Sequence, residues 1–148
     1  MQGKATFRGH PLHLVCVSFP VAFWSGTVVT DIAGARSSDP FWFRMSVTLI
    51  AMGLLGGVVA AVFGYVDYLT VTLSRRALRI ATTHLVTSLV TLALYSAALA
   101  LRWNDNGSLP GVILSYAGAA VLFAGGYFGS ELANRYRVGI AEVAPASD

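Results

Sequence analysis

The sequence predicts an all-α fold: a polytopic membrane protein built as an antiparallel bundle of four transmembrane helices, with its 148 residues in one membrane domain. Hydrophobic residues make up 55% of the chain and charged residues only 11%, whereas a soluble domain has about a quarter charged residues. The mean hydropathy of +0.66 agrees with this composition. So few charges cannot cover the surface of a soluble globule, but a lipid bilayer removes that requirement.

Four apolar runs alternate with short polar segments along the chain. Each run reaches the ~20 residues that a helix needs to cross the hydrocarbon core of a bilayer. The predicted helices cover residues 11–32, 45–69, 78–101 and 109–132, and the polar turns between them fall at residues 36–40, 73–76 and 104–108. Connections this short predict that neighbouring helices run antiparallel.

The first apolar run contains two prolines with structural consequences. Pro11 suits the first position of a helix, which makes His10 a flanking or capping residue. Pro20 should kink the helix because it has no N–H to bond the carbonyl of Cys16. The start of the chain and the small residues at 33–35 resemble a cleaved secretory signal, but the run exceeds the usual h-region of about 7–15 residues. We therefore expect the first helix to be retained as a membrane span.

The second and fourth runs carry small residues at four-residue spacing. These ridges are Gly53, Gly57 and Ala61; Gly56, Ala60 and Gly64; and Gly125, Gly129 and Ala133. In lipid, such ridges let helices approach closely, so they predict helix–helix contacts. A second interpretation is that the glycines clear space for a flat cofactor.

The basic residues predict the orientation of the bundle. If both termini are cytoplasmic, seven of the ten basic residues lie on the cytoplasmic side, namely Lys4, Arg8, Arg75, Arg76, Arg79, Arg135 and Arg137. The other three, Arg36, Arg44 and Arg102, lie on the opposite side. The positive-inside rule therefore favours a multi-pass protein with both termini in the cytoplasm.

Three histidines, His10, His13 and His84, offer the clearest candidate site. His13 lies five residues after Arg8. His84 likewise lies five residues after Arg79. Because both helices start on the same side, each imidazole should sit roughly 8 Å along its helix from a headgroup-level arginine. The first and third helices of an up-down bundle are commonly diagonal, so we expect His13 and His84 to face each other across the core.

Two histidines that face each other across a bundle can hold a heme iron through their ring nitrogens. We therefore expect a b-type heme held by His13 and His84, with His10 and Asp67 as outer groups of the cofactor site. His10 has a second interpretation, in which its ring lies in the headgroup layer. A divalent metal on His13 and His84 is an alternative, although the chain lacks the HxxxH or ExxH pair that many metal sites use. A further alternative is that the site holds no cofactor.

Two carboxylates, Asp67 and Glu131, end the second and fourth runs on the same predicted side. Ionisable groups at membrane depth are usually paired or line a cavity. Glu131 is expected to form a salt bridge with Arg135, four residues later on the same helix. A sharper hypothesis joins both carboxylates to the histidines in a site that binds a divalent metal or passes protons.

Several function classes have no support in the sequence. There is no glycine-rich phosphate loop, no HExxH motif and no Ser/His/Asp set, so we expect the chain not to be an enzyme on its own. The basic residues behind the net charge of +3 lie between apolar runs rather than on one polar face, which argues against a nucleic-acid partner. Cys16 is the single cysteine and cannot form an internal disulfide.

Short motifs are spread over nearly the whole chain. They are Gly9-His10-Pro11-Leu12-His13, Phe19-Pro20, Asp31, Gly64-Tyr65-Val66-Asp67, His84, Gly125-Gly126-Tyr127-Phe128-Gly129-Ser130-Glu131-Leu132 and Arg137-Val138-Gly139-Ile140. Together they resemble the bacterial transmembrane family catalogued as domain of unknown function 2231. The resemblance implies a four-helix protein of a bacterial inner membrane and implies no activity, although relatives joined to redox modules fit a heme or electron-transfer role.

These observations lead to three hypotheses for the function. The first is a heme-binding redox or electron-transfer subunit. The second is a structural accessory subunit that docks onto a larger membrane complex or forms a homo-oligomer. The third is a membrane protein that handles divalent metal ions or protons. All three place the chain in a lipid bilayer.

Overall fold

The computed structural model describes residues 5–8 and 10–139, and these residues form a bundle of long helices. The elements are β1 (Thr6–Phe7), β2 (His10–Pro11), α1 (Leu12–Cys16), α2 (Ser18–Ser37), α3 (Pro40–Thr70), α4 (Arg75–Arg102) and α5 (Leu109–Asn134). Four segments are long and apolar enough to cross a membrane: Leu12–Ser37, Pro40–Thr70, Arg75–Arg102 and Leu109–Asn134. The prediction of a four-helix membrane bundle is therefore confirmed.

A short hairpin precedes the bundle and was not predicted. β1 and β2 pair antiparallel, with Thr6 opposite Pro11. The N–H of Leu12 donates to the carbonyl of Ala5 at 2.9 Å, and Pro11 keeps an extended conformation with φ −72° and ψ 113°. The prediction of Pro11 as the first helical residue was therefore wrong by one position, because pairing with β1 holds Pro11 in the strand.

The first span is interrupted at Val17, between α1 and α2. Pro20 follows one turn later and has no N–H, so the Cys16 carbonyl lacks its usual helical donor. The N–H of Val17 still bonds the carbonyl of His13 at 2.9 Å, and the N–H of Val21 reaches the carbonyl of Val17 at 3.3 Å. The break is limited to this missing hydrogen bond, because Val17 keeps helical dihedral angles of φ −65° and ψ −21°. The kink expected at Pro20 stays a prediction.

Helix caps explain why the helices extend into the predicted polar turns. Ser38 ends α2 with φ 56°, and its N–H bonds the carbonyl of Gly34 at 3.0 Å. Asp39 then caps α3, since its carboxylate accepts the N–H of Phe41 at 2.9 Å and Pro40 occupies the first helical turn. Only two residues separate α2 from α3, which forces these helices to pack side by side.

The bundle consists of two helical hairpins, which meet along its centre. The first is formed by α1, α2 and α3, and the second by α4 and α5. α2 packs against α3 and α5, and α4 packs against α5 and α3. This arrangement confirms the prediction that the first and third spans are diagonal. Trp24 from α2 and Tyr95 from α4 bridge the diagonal with stacked rings, whose centres are 4.5 Å apart at an interplanar angle of 6°. Both side chains are buried, and the stack belongs to the central cluster of the apolar core.

Candidate functional site

The structure brings His13 of α1 and His84 of α4 together between the two hairpins. Their ring centres are 6.1 Å apart and the ring planes meet at 81°. The prediction that these two imidazoles face each other at one level of the bundle is therefore confirmed. Their role as ligands of a cofactor stays a prediction.

Each imidazole is anchored to the backbone of the neighbouring helix. Nδ1 of His13 lies 2.8 Å from the carbonyl oxygen of Ala60, and Nδ1 of His84 lies 2.9 Å from the carbonyl oxygen of Gly125. A carbonyl can only accept a hydrogen bond, so Nδ1 of each ring is the donor. In the neutral form of each ring the lone pair then lies on Nε2, the nitrogen through which such a histidine can bind a metal.

A glycine lies beneath each ring, one helical turn after the anchoring carbonyl. A Cβ at position 64 would be 2.8 Å from Nδ1 of His13, and a Cβ at position 129 would be 2.9 Å from Cε1 of His84. Both distances are shorter than a carbon–carbon or carbon–nitrogen contact allows. The glycines of α3 and α5 therefore set the position of the imidazoles, in addition to allowing close packing.

The other small-residue ridges contact large side chains of the facing helix. Gly53 lies directly beneath the indole of Trp24, and a Cβ at position 57 would come within 2.9 Å of the same ring. Gly118 supports Tyr95, since a Cβ there would be 2.8 Å from the phenol ring. These contacts confirm the prediction that the glycine ridges mark helix–helix interfaces.

Two cavities adjoin the histidine pair. The first has a volume of about 120 Å³ and extends toward Asp67 and Tyr68, while the second has a volume of about 90 Å³ and extends toward Trp24. His13 and His84 contribute to the walls of both cavities, and most of the other wall residues are apolar. The space between the hairpins therefore continues past the histidines in both directions.

Two other predicted site residues occupy different surroundings. The carboxylate of Asp67 accepts the N–H of Ala5 at 3.0 Å and lines the first cavity. His10 lies on β2 with its side chain exposed. Asp67 is thus placed beside the histidine pair but is already engaged in fixing the N-terminal hairpin. The roles of Asp67 and His10 as outer groups of a cofactor stay predictions.

Glu131 forms the salt bridge that the sequence predicted. Its carboxylate lies 3.1 Å from the guanidinium of Arg135, one turn further along α5. Within residues 5–8 and 10–139, the structure contains no group of three or more His, Cys, Asp or Glu side chains arranged to hold a metal ion. The described structure therefore gives no support to a metal site built from both carboxylates and the histidines.

A buried ion pair at the other end of the bundle was missed by the sequence analysis. Asp31 of α2 and Arg102 of α4 are joined by two hydrogen bonds of 2.6 and 2.9 Å, and both side chains have no exposed surface. Arg102 also donates to the carbonyl of Asn106 at 2.8 Å and to the hydroxyl of Ser115 at 3.3 Å. Arg102 had been assigned to the membrane surface by the charge count alone.

The sequence does contain a signal that reveals this pair. Asp31 and Arg102 are 71 positions apart, as are Trp24 and Tyr95. The same separation holds for the two histidines, so each hairpin carries a histidine, an aromatic residue and a charged residue at identical spacing. The supporting positions 53, 60 and 64 of α3 correspond, again at one constant offset, to 118, 125 and 129 of α5. The bundle is therefore an internal repeat of one helical hairpin.

Comparison with known proteins supports the family resemblance. The model of the family described as "Predicted membrane protein (DUF2231)" matches residues 9–142, which is most of the chain. No curated protein and no solved structure matches the chain. The protein is therefore a member of the DUF2231 family of membrane proteins.

Proposed function

We propose that this protein binds one b-type heme between His13 and His84 and transfers electrons through it within a bacterial membrane. One observation carries the proposal. The two imidazoles face each other, and a backbone carbonyl holds Nδ1 of each ring, which leaves Nε2 as the available ligand atom. Histidines that bind metals are oriented in this way by a hydrogen bond on the other ring nitrogen.

The separation of the rings fits a single metal ion between them. With metal–nitrogen bonds of about 2.0–2.1 Å, two imidazoles on opposite sides of one ion have ring centres about 6 Å apart. The observed distance between the ring centres is 6.1 Å.

The number of protein ligands favours heme over a bare divalent ion. A structural zinc ion takes four protein ligands and a catalytic zinc ion takes three. Heme iron already has four porphyrin nitrogens, so two histidines complete its coordination. The described residues bring two histidines together and form no group of three ligands, which supports heme as the ligand of this pair.

The surroundings of the histidines also suit a flat, largely apolar group. Cavities continue from the pair toward both ends of the bundle, and their walls are mostly apolar. Gly64 and Gly129 let the two rings pack directly against α3 and α5. A bound heme would supply a one-electron iron couple. The protein would hold it through His13 and His84, and the Ala60 and Gly125 carbonyls would raise the basicity of both ligands.

We further propose that the membrane is the bacterial inner membrane and that both termini are cytoplasmic. Seven of the ten basic residues lie on the cytoplasmic side in this orientation. The histidine pair then lies in the cytoplasmic leaflet, so a redox partner would exchange electrons with the heme from the cytoplasmic side. A role as a structural subunit of a larger complex, or as a homo-oligomer, stays a prediction that co-purification tests.

An optical spectrum of the purified protein tests the heme directly. Protein purified in detergent from heme-replete cells should show the Soret and visible bands of six-coordinate low-spin heme. If His13 and His84 hold the heme with their ring planes near the observed angle of 81°, its ferric EPR signal should be strongly anisotropic. His13→Ala and His84→Ala should each abolish both signatures.

His10→Ala is the matched control, since it also removes one histidine but from an exposed position on β2. It should retain the Soret band. A colourless wild-type protein from heme-replete cells would overturn the proposal, as would a Soret band that persists in both His13→Ala and His84→Ala.

A further inference from the structure

We infer that Asp31 and Arg102 are positioning residues for the histidine pair: their buried ion pair fixes the separation and rotation of the two repeated hairpins, and the two side chains can be exchanged between the hairpins. The use of this geometry to hold heme rests on the proposed function, whereas the geometry itself does not.

The ion pair joins α2 of the first helical hairpin to α4 of the second at a buried position, and we call this pair the clamp. Both side chains are fully buried, and Arg102 meets both carboxylate oxygens of Asp31 in a fork. Removal of one partner would leave an unpaired charge inside a membrane bundle, which is strongly unfavourable. The two charges therefore hold α2 and α4 together at a defined distance and angle.

The clamp acts far from the histidines along the same two helical spans. Trp24 lies eleven residues after His13 and Asp31 lies eighteen residues after it, which corresponds to about 16 and 27 Å of helix. Tyr95 and Arg102 stand at the same distances from His84. Two hairpins fixed only at the histidines and the aromatic stack could still splay at the far end.

Movement at the clamp reaches the histidines through continuous helices. α4 is unbroken from Arg75 to Arg102, so a rotation at Arg102 also rotates His84. On the other hairpin, α3 is unbroken from Pro40 to Thr70 and carries both the carbonyl of Ala60 and Gly64, which hold His13. The ion pair at one end of the bundle therefore determines how the two imidazoles at the other end are placed relative to each other.

Exchange of the two charged residues is possible because they occupy equivalent positions of the repeat. Arg102 needs the space above Gly111, where a Cβ would collide with its side chain. The position equivalent to Gly111 in the first hairpin is Ser46, which is fully buried and whose hydroxyl has no hydrogen-bond partner among the described residues. An exchange that carries the charges therefore also has to carry these two supporting residues. It has to carry Ser115, which accepts a hydrogen bond from Arg102, and its equivalent Ile50 as well.

The test compares charge removal with charge exchange, using spin labels that do not depend on heme. In a Cys16→Ser background, labels are attached at Tyr65→Cys and Tyr127→Cys, which are exposed on α3 and α5 at the level of the histidine pair. Double electron–electron resonance then gives the distance distribution between the labels. The parent should give a narrow distribution, and Asp31→Asn or Arg102→Gln should broaden it.

The exchange variant combines six substitutions: Asp31→Arg, Arg102→Asp, Ser46→Gly, Gly111→Ser, Ile50→Ser and Ser115→Ile. It should recover the narrow distribution, the parental heme content and the strongly anisotropic EPR signal, all of which the single variants should lose in part. Glu131→Gln is the matched control, because it removes a carboxylate from the surface bridge with Arg135 and should leave the distribution unchanged.

The inference is overturned if the single variants keep the parental distribution, or if the exchange variant stays as broad as they are. If the single variants fail to fold, the outcome depends on the exchange variant: a folded protein with the parental distribution supports the inference, and an unfolded one refutes it. A parent without heme would remove the proposed function but leave the distance measurements decisive for the clamp.

Discussion

At the scale of single residues, the histidine site depends on backbone atoms of the neighbouring helices. The level of His13 and His84 was predicted from a basic residue five positions before each, and the level is right although Arg8 lies in the turn of the N-terminal β-hairpin and not in a helix. The anchoring carbonyls of Ala60 and Gly125 could not be predicted, since every residue has a carbonyl and only the packing selects two of them. The Asp31–Arg102 ion pair was not predicted for a related reason. Hydropathy identifies a charged residue but not the partner 71 residues away with which it forms an ion pair.

A methyl group beneath either imidazole should destabilise the protein. Gly64→Ala and Gly129→Ala should each lower the free energy of unfolding by about 1–3 kcal/mol, because the added Cβ overpacks the ring. Gly126→Ala is the control on the same helix as Gly129, since its Cβ would meet no atom within 4 Å. There alanine should be neutral or stabilise the helix by up to about 1 kcal/mol.

Unfolding of each glycine variant in mixed micelles, with denaturing detergent as the titrant, measures these differences. Equal effects of alanine at positions 64, 126 and 129 would show that the rings do not rest on the glycines.

At the scale of the elements, composition and run length were sufficient to predict four spans, but not where the helices end. The predicted second helix began at residue 45, whereas α3 begins at Pro40 because Asp39 caps it. The polar residues that suggested a long turn are instead helix-capping residues, and capping is a hydrogen-bond geometry that hydropathy does not record. The two-residue strands of the N-terminal hairpin lie below the length at which a strand pattern can be recognised.

The break between α1 and α2 should matter for the orientation of His13. Pro20→Ala supplies an N–H for the carbonyl of Cys16, so the missing hydrogen bond should form and shift His13 from its place opposite His84. We expect reduced heme content together with a small rise in helicity, measured by pyridine hemochrome assay and circular dichroism. Pro110→Ala is the control, because this proline sits in the first turn of α5 and interrupts no helix. An unchanged heme content in Pro20→Ala would refute a role for the break.

At the scale of the whole molecule, the sequence analysis recognised a bundle but not its repeat. The matched residues are His with His, Trp with Tyr and Asp with Arg, so plain sequence identity between the halves is low at the positions that matter most. The two helical hairpins share the spacing between their histidine, aromatic and charged residues. This common spacing places the two members of each matched pair at the same level of the bundle. The diagonal arrangement of α2 and α4 follows from this spacing, since it brings equivalent residues of the two hairpins together at the centre.

The orientation of the bundle can be tested by thiol labelling from one side of the membrane. In a Cys16→Ser background, Ser38→Cys should react with an impermeant maleimide added to intact spheroplasts. Thr72→Cys, on the connection between α3 and α4, should react only after the membrane is permeabilised. The reverse pattern would place both termini outside and move the histidine pair to the outer leaflet.

The opposite charges of Asp31 and Arg102 also make the two helical hairpins non-interchangeable partners. A homodimer of identical helical hairpins would place the same residue on both sides of its symmetry axis, so two aspartates or two arginines would confront each other there. Here one polypeptide carries the acid on one hairpin and the base on the other, so every acid meets a base and never a copy of itself.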